Sequence, residues 1–150
     1  MKKAVVAGGQ TTIVDLTPEE IATRAPSGAM VDVEADRRVQ SGFMFGGKHY
    51  QSDVKAQKRI TGASALAHQA VTVGGKQATD TKWHNDGGED DPEFAWIATD
   101  NSLTVMDAQT VLAFGQAAAS WESRHVFAAK ALKDQDPIPA DYTDDEYWPT

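Results

Sequence analysis

The stretch from Asp107 to Asp134 constrains this chain more than any other, because it reads as one long uninterrupted helix. Asp107 is a strong N-cap: its short carboxylate can accept a free backbone N–H of the first turn. No proline follows until Pro137, and Lys130 and Lys133 place cations at the negative end of the helix dipole. Val111, Phe114, Ala118, Trp121, His125, Ala128 and Leu132 recur three or four residues apart and so share one face. Gly115 and Ala117 to Ala119 are small, which lets another backbone approach closely, although Gly115 lowers helix propensity. Such a helix is first of all the core of a small domain; by itself it names no function.

A core of that kind fits the 150 residues available, which make one domain with extensions. There are no cysteines, so disulfides, thiolate zinc sites and cysteine nucleophiles are excluded. The apolar run Ala4 to Ala7 after Met-Lys-Lys is too short for a signal peptide, since Gly8, Gly9 and Gln10 end it. No stretch has the length needed to span a membrane, and synthesis in a cytoplasm is the expectation. The net charge of −8 is unevenly spread. Residues 37–82 carry eight bases and two acids, residues 83–150 three bases and fourteen acids, and residues 1–36 three bases and six acids. An acidic chain is a poor partner for nucleic acid, which needs an exposed basic surface.

Around the long helix the signals are short. Ala4 to Ala7 and Thr11 to Val14 flank Gly8-Gly9 and suit a small hairpin. Thr17-Pro18-Glu19-Glu20 starts a short helix, with Thr17 as cap, Pro18 in the first helical position and Glu20 closing a capping box; Pro26, Ser27 and Gly28 stop it. Residues 32–38 are compatible with helix or strand. Phe43-Met44-Phe45 and Lys48-His49-Tyr50 flank Gly46-Gly47, the pattern of a primed hairpin turn. Ser52 is the expected cap of a second helix running to about Ala70, with Ala56, Ile60, Ala63, Leu66 or Ala67, and Ala70 on its apolar face. Residues 74–93 form a long acidic loop, of the kind that is usually functional or mobile. Phe94 to Ala98 and Ser102 to Val105 make another hairpin around Asp100-Asn101. Residues 134–150 carry six acids, three prolines and three aromatics without a base, too polar a composition to fold alone.

The residues do not assemble a familiar chemistry. His49, His68, His84 and His125 are scattered, with no HExxH pair. His84, Asn85, Asp86, Glu89, Asp90 and Asp91 could supply oxygen ligands to Ca²⁺, but their spacing is not that of an EF-hand, and a solvated acidic loop is the better reading. There is no G-x-S-x-G elbow, and Gly46-Gly47-Lys48 and Gly74-Gly75-Lys76 lack the spacing of a phosphate loop. The chain is therefore expected to be no enzyme, without cofactor or metal.

Several features stand in a fixed order. Asp36-Arg37-Arg38 precedes Gly42-Phe43 and the hairpin to Tyr50-Gln51-Ser52-Asp53. Gln57 and Arg59-Ile60-Thr61-Gly62-Ala63 follow on a helix. Then come Trp96, Thr99-Asp100-Asn101, Val105-Met106-Asp107-Ala108, and the helix through Gly115-Gln116-Ala117-Ala118-Ala119 to Ala131-Leu132-Lys133. Over about residues 36–134 this resembles a domain of unknown function carried by tailed bacteriophages and prophages, whose members are often described as tail proteins or tail-fibre assembly proteins. The resemblance implies a context and no catalytic or binding residues.

The expected fold is α+β: two antiparallel helices with small-residue faces, two β-hairpins near their N-terminal ends, and extended arms. The expected divisions are an N-terminal attachment arm (1–35), the tail-associated domain (36–134) and an acidic aromatic tail (135–150). The resemblance implies a non-enzymatic structural component of a bacteriophage tail, at the baseplate or tail-fibre attachment region, resident in the virion. The alternative is a tail-fibre assembly chaperone that leaves before the virion is complete. The expected partners are other tail, baseplate or tail-fibre proteins, with homo-oligomerisation inside the assembly left open, and neither nucleic acid nor membrane. Candidate partner-binding residues are Tyr142, Tyr147 and Trp148 in the tail, and Trp83, Glu89, Asp90 and Asp91 in the loop.

Overall fold

The structure is a computed structural model and describes residues 1–20, 25–85, 88 and 90–150. In chain order it shows β1 (Lys2–Ala7), β2 (Gln10–Asp15), α1 (Gly28–Gln40), β3 (Phe43–Phe45), β4 (Lys48–Tyr50), α2 (Val54–Thr72), β5 (Ala95–Ile97), β6 (Leu103–Val105), α3 (Ala108–Lys133) and a 3₁₀ turn at Asp145–Tyr147. The class is α+β, with each pair of consecutive strands forming its own antiparallel two-stranded sheet.

α3 is the spine, about 39 Å long at the ordinary helical rise. Its Asp107 cap is in place: the carboxylate accepts from Thr110 N at 2.7 Å. Val111, Phe114, Ala118, His125 and Leu132 are buried as the spacing predicts, but Ala129 and not Ala128 is the fully buried alanine of the last turns. The reason is the helical period of 3.6, which carries the buried face one residue on from a strict three-four count.

The first half of α3 carries one core. Phe114 is its hub, with ring centroids 5.2 Å from Phe43, 5.3 Å from Phe45, 4.9 Å from Tyr50 and 5.1 Å from Trp96. Both packed hairpins thus converge on one side chain. α2 lies alongside, held close by small residues: a Cβ on Gly115 would stand 2.0 Å from Ser64 Oγ and 3.9 Å from Ile60. Further along α2, Leu66, Ala70 and Val73 border Trp83, whose indole N–H donates to Met106 O just before α3 begins. The two helices therefore run in opposite directions. The second half of α3 carries a separate core of Val31, Ala35, Ala129, Leu132 and Trp148.

The structure corrects the sequence reading at several points. Residues 32–38 belong to helix α1, whose N-cap Ser27 accepts from Met30 N at 3.3 Å. The Pro-Ser-Gly punctuation is thus a start as well as a stop. α1 also crosses the boundary drawn at residue 35, and Val31 and Ala35 pack beneath α3, so residues 28–35 are part of the packed body and not an arm. The cap of α2 is Asp53, which accepts from Ala56 N at 2.9 Å. Ser52 is turned inward and wholly buried, so the half-buried Asp53 carboxylate takes the role. α2 ends at Thr72 rather than Ala70. At the start of the chain the capping box is present, with Thr17 N donating to Glu20 Oε2 at 3.0 Å and Glu20 N to Thr17 Oγ1 at 3.2 Å. Residues 18–20 are helical, and the rest of that expected helix before Ala25 lies outside the described residues.

Candidate functional site

The tail does not stand free; it docks on α1 and α3. Trp148 is only 5% exposed, in the core of Val31, Ala35, Ala129 and Leu132, and its indole N–H donates to Tyr142 O at 2.7 Å. The clamp is Arg38. Its Nε donates to Glu34 Oε1 at 2.6 Å, its Nη2 donates to Thr143 O at 2.6 Å and Asp145 Oδ1 at 2.8 Å, and its guanidinium lies 5.2 Å from the Trp148 ring. Arg37 also binds the Glu34 carboxylate, through two nitrogens at 2.7 and 2.6 Å. The Arg37 hydrogen bond first, with Arg38 adding, holds the Glu34 carboxyl below its ordinary range despite burial. His125 is 1% exposed between Trp121 and Trp148, with ring centroids at 4.2 and 6.2 Å. Its Nδ1 is 2.9 Å from Trp121 O, which can only accept, so the proton sits on Nδ1. Burial pushes its pKa down, and the charges of Arg124 and Arg38 push the same way.

These placements decide the predicted partner-binding residues. Trp148 and Trp83 are core residues, and neither ring is available as a contact surface: Trp83 is 3% exposed and its N–H is used on Met106 O at 3.1 Å. A large aromatic in an acidic segment reads as an anchor for a partner, but here the partner is the chain itself. Tyr142 and Tyr147 are half-buried against the tail core, with Tyr147 Oη donating to Asp141 Oδ1 at 3.2 Å. Tyr142, Tyr147 and Trp148 are thus brought together, while Trp83 belongs to the other core. In the loop, Asp90 is exposed and Asp91 is half-buried, accepting from Gly88 N at 2.7 Å; Glu89 lies outside the described residues. The loop is pinned at its start, where Thr79 N donates to the second Asp107 oxygen at 2.8 Å. Carboxylates of Asp141, Asp144 and Glu146 lie within 4.8 Å of one another, all exposed, as acidic side chains do without any ion.

Sequence reasoning missed an accessible groove beside the spine. Between β5 and α2 runs a groove of about 680 Å³, lined on one side by Phe94 to Thr99 and on the other by Ala56, Arg59, Gly62 and Ala63. On the outer face of the same hairpin, Ile97, Leu103 and Val105 are exposed. Ile97 and Leu103 pair across the strands, as do Ala95 and Val105. The signal in the sequence was the alternation of that hairpin, whose apolar residues fall on both faces rather than one.

The described helices include none long and apolar enough to cross a membrane. A family profile described as a domain of unknown function, DUF4376, matches residues 22–147. The chain belongs to the DUF4376 family. The match takes in α1, both packed hairpins, α2, α3 and the groove, and extends further towards each end than the resemblance over residues 36–134. It leaves the β1–β2 hairpin outside the DUF4376 region. No curated protein and no solved structure matches the chain.

Proposed function

We propose that this DUF4376 protein is a non-enzymatic structural component of a bacteriophage tail, at the baseplate or tail-fibre attachment region, acting through contacts with neighbouring tail proteins. The context comes from the ordered motifs between Asp36 and Lys133. The observation that carries the mode of action is the β1–β2 hairpin. Its six residue pairs from Lys2↔Asp15 to Ala7↔Gln10 form a regular ladder. Almost every residue on it is exposed, Val6 and Ile13 to 70% and 60%. An isolated two-stranded hairpin is marginal in water, and a ribbon that exposes valines and an isoleucine, with little packed against it among the described residues, gains stability when a neighbour covers it.

Quantitative mass spectrometry of purified particles, set beside the clarified lysate, tests the reading. A structural component is found in particles at a copy number fixed by tail symmetry. Abundance in the lysate together with absence from particles overturns it and leaves the assembly chaperone.

A further inference from the structure

Among the described residues, β5 has one bonded edge and one open edge. Met106 N donates to Phe94 O and Ala98 N to Ser102 O, each at 2.9 Å, and Trp96 pairs with Thr104 between them. In an antiparallel ladder the alternate residues then turn their backbone groups the other way. Ala95 and Ile97 therefore present N–H and C=O away from β6, on the side of the groove walled by α2. Thr99, next in that series, shows what this edge does when a strand lies beside it: its N–H donates to His49 O of β4 at 2.9 Å. The edge is open only where the groove is.

The opposite wall supplies room and charge. A Cβ on Gly62 would meet nothing within 4 Å. Arg59 lines the groove and is exposed, and among the described residues it forms no ion pair. Lys55 and Lys58 lie on the same helix, are likewise exposed, and form no ion pair among the described residues, while Asp53, at the start of that helix, is committed to its cap. A groove with an unpaired strand edge on one wall and an unneutralised guanidinium on the other selects an extended, acidic chain.

We propose that the β5–α2 groove is a strand-addition site for an extended acidic segment of a neighbouring protein. The segment pairs its backbone with Ala95 and Ile97, sets a carboxylate on Arg59, and rests alternate apolar side chains on Ile97 and Ala63. This deepens the protein-contact reading above and rests on it for the class of partner.

The test selects peptides for the full-length chain from a random peptide library displayed on yeast. The expected pool alternates Asp or Glu with β-branched residues. Arg59→Glu weakens the selected peptides at least about tenfold, the loss that accompanies removal of a charge-assisted hydrogen bond. Gly62→Trp, which fills the groove from an exposed helical position, abolishes their binding with the unfolding midpoint retained. The Ala95 and Ile97 amides become protected from hydrogen exchange on binding. The proposal is overturned if no peptide is enriched, if the pool lacks acidic residues, or if selected peptides bind Gly62→Trp as tightly as the parent chain. A self-association that Gly62→Trp dissolves would also overturn it, by making the occupant a second copy. The particle experiment is independent: a chain that binds acidic strands but is absent from virions keeps this inference and loses the tail-component reading.

Discussion

Two hairpins in this molecule share one turn and have opposite fates. β1–β2 and β3–β4 both close on a Gly-Gly pair with positive φ at each residue, 57° and 79° at Gly8 and Gly9, 55° and 78° at Gly46 and Gly47. That geometry matches the right-handed twist of the flanking strands, and only glycine adopts it freely at both positions. The first hairpin has strands twice as long, six residues against three, yet among the described residues it contributes to neither hydrophobic core and is tied down chiefly by the Lys3–Glu20 ion pair. The short one is locked against α3. The difference lies in the side chains: β3–β4 carries Phe43, Phe45 and Tyr50, all gathered on Phe114, whereas β1–β2 carries only valines, an isoleucine and small or polar residues. Turn chemistry makes a hairpin; aromatic area decides whether it joins the core. The first is left as a surface, and the second becomes scaffold.

The largest effect expected from breaking this arrangement is at the hub. Phe114→Ala should cost about 3–5 kcal/mol, the usual range for emptying a buried aromatic site. Denaturant unfolding measures the loss, and amide exchange should show β3–β4 and β5–β6 deprotected together while β1–β2 is unchanged. Deprotection of only one packed hairpin would mean that they do not share the hub. A smaller effect is expected at Asp107, whose two oxygens serve α3 and the loop. Asp107→Ala should cost about 1 kcal/mol for the cap and release the Thr79 amide to exchange. Asp107→Asn should keep the cap, because its one carbonyl oxygen can still accept from Thr110 N, but should release the Thr79 amide, since its NH2 group cannot accept a hydrogen bond.

The tail dock carries a pH dependence of its own. His125 is neutral in the fold, with its pKa depressed below 6.5 by burial and then by Arg124 and Arg38. The unfolded chain therefore binds the proton first as pH falls. Stability is complete above pH 6.5, declines below it, and stops declining from this source once the folded-state pKa is passed. Glu34 acts lower: its pKa is depressed by Arg37 and Arg38, so its contribution is present above 4.5 and is lost as pH falls through the folded value. Thermal unfolding across pH should show both limbs, and His125→Phe should remove the upper one alone. A fully retained upper limb in that variant would place its origin elsewhere.

How much of this was legible follows from distance along the chain. The Asp107 cap, the Thr17–Glu20 box and the three hairpin turns depend on neighbours within a few residues, and sequence carries such signals directly. The docking of Trp148 was not legible, because its clamp Arg38 meets Asp145 across 107 positions. Trp83 misled for the same reason: its place among loop acids says nothing of Met106, 23 residues on. The β5–α2 groove was harder still. It exists through the open space over Gly62 and the unused edge of Ala95 and Ile97, and a sequence does not record which backbone groups are left unpaired. Arg59 and Gly62 were visible as a motif, but nothing local distinguished them from any helix surface.

The smallest stability effect belongs to the exposed hairpin, and it sharpens the contrast most. Val5 and Val6 point to opposite faces of β1, and Ile13 is exposed on β2. Val6→Asp and Ile13→Asp remove no core contact, so each should change stability by no more than about 0.5 kcal/mol. If the ribbon is covered by a neighbour in the tail, the same substitutions bury a charge at that interface, and incorporation into particles should fall far more than stability does. The measurement is the ratio of particle-bound to free protein for each variant, with Val54→Asp on exposed α2 as the control. Equal incorporation of all three would make β1–β2 a solvated ribbon and return the burden of attachment to the β5–α2 groove. Loss at β1–β2 with Val54→Asp unaffected would separate two contact surfaces on one small domain: an added hairpin outside the family region, and a groove within it.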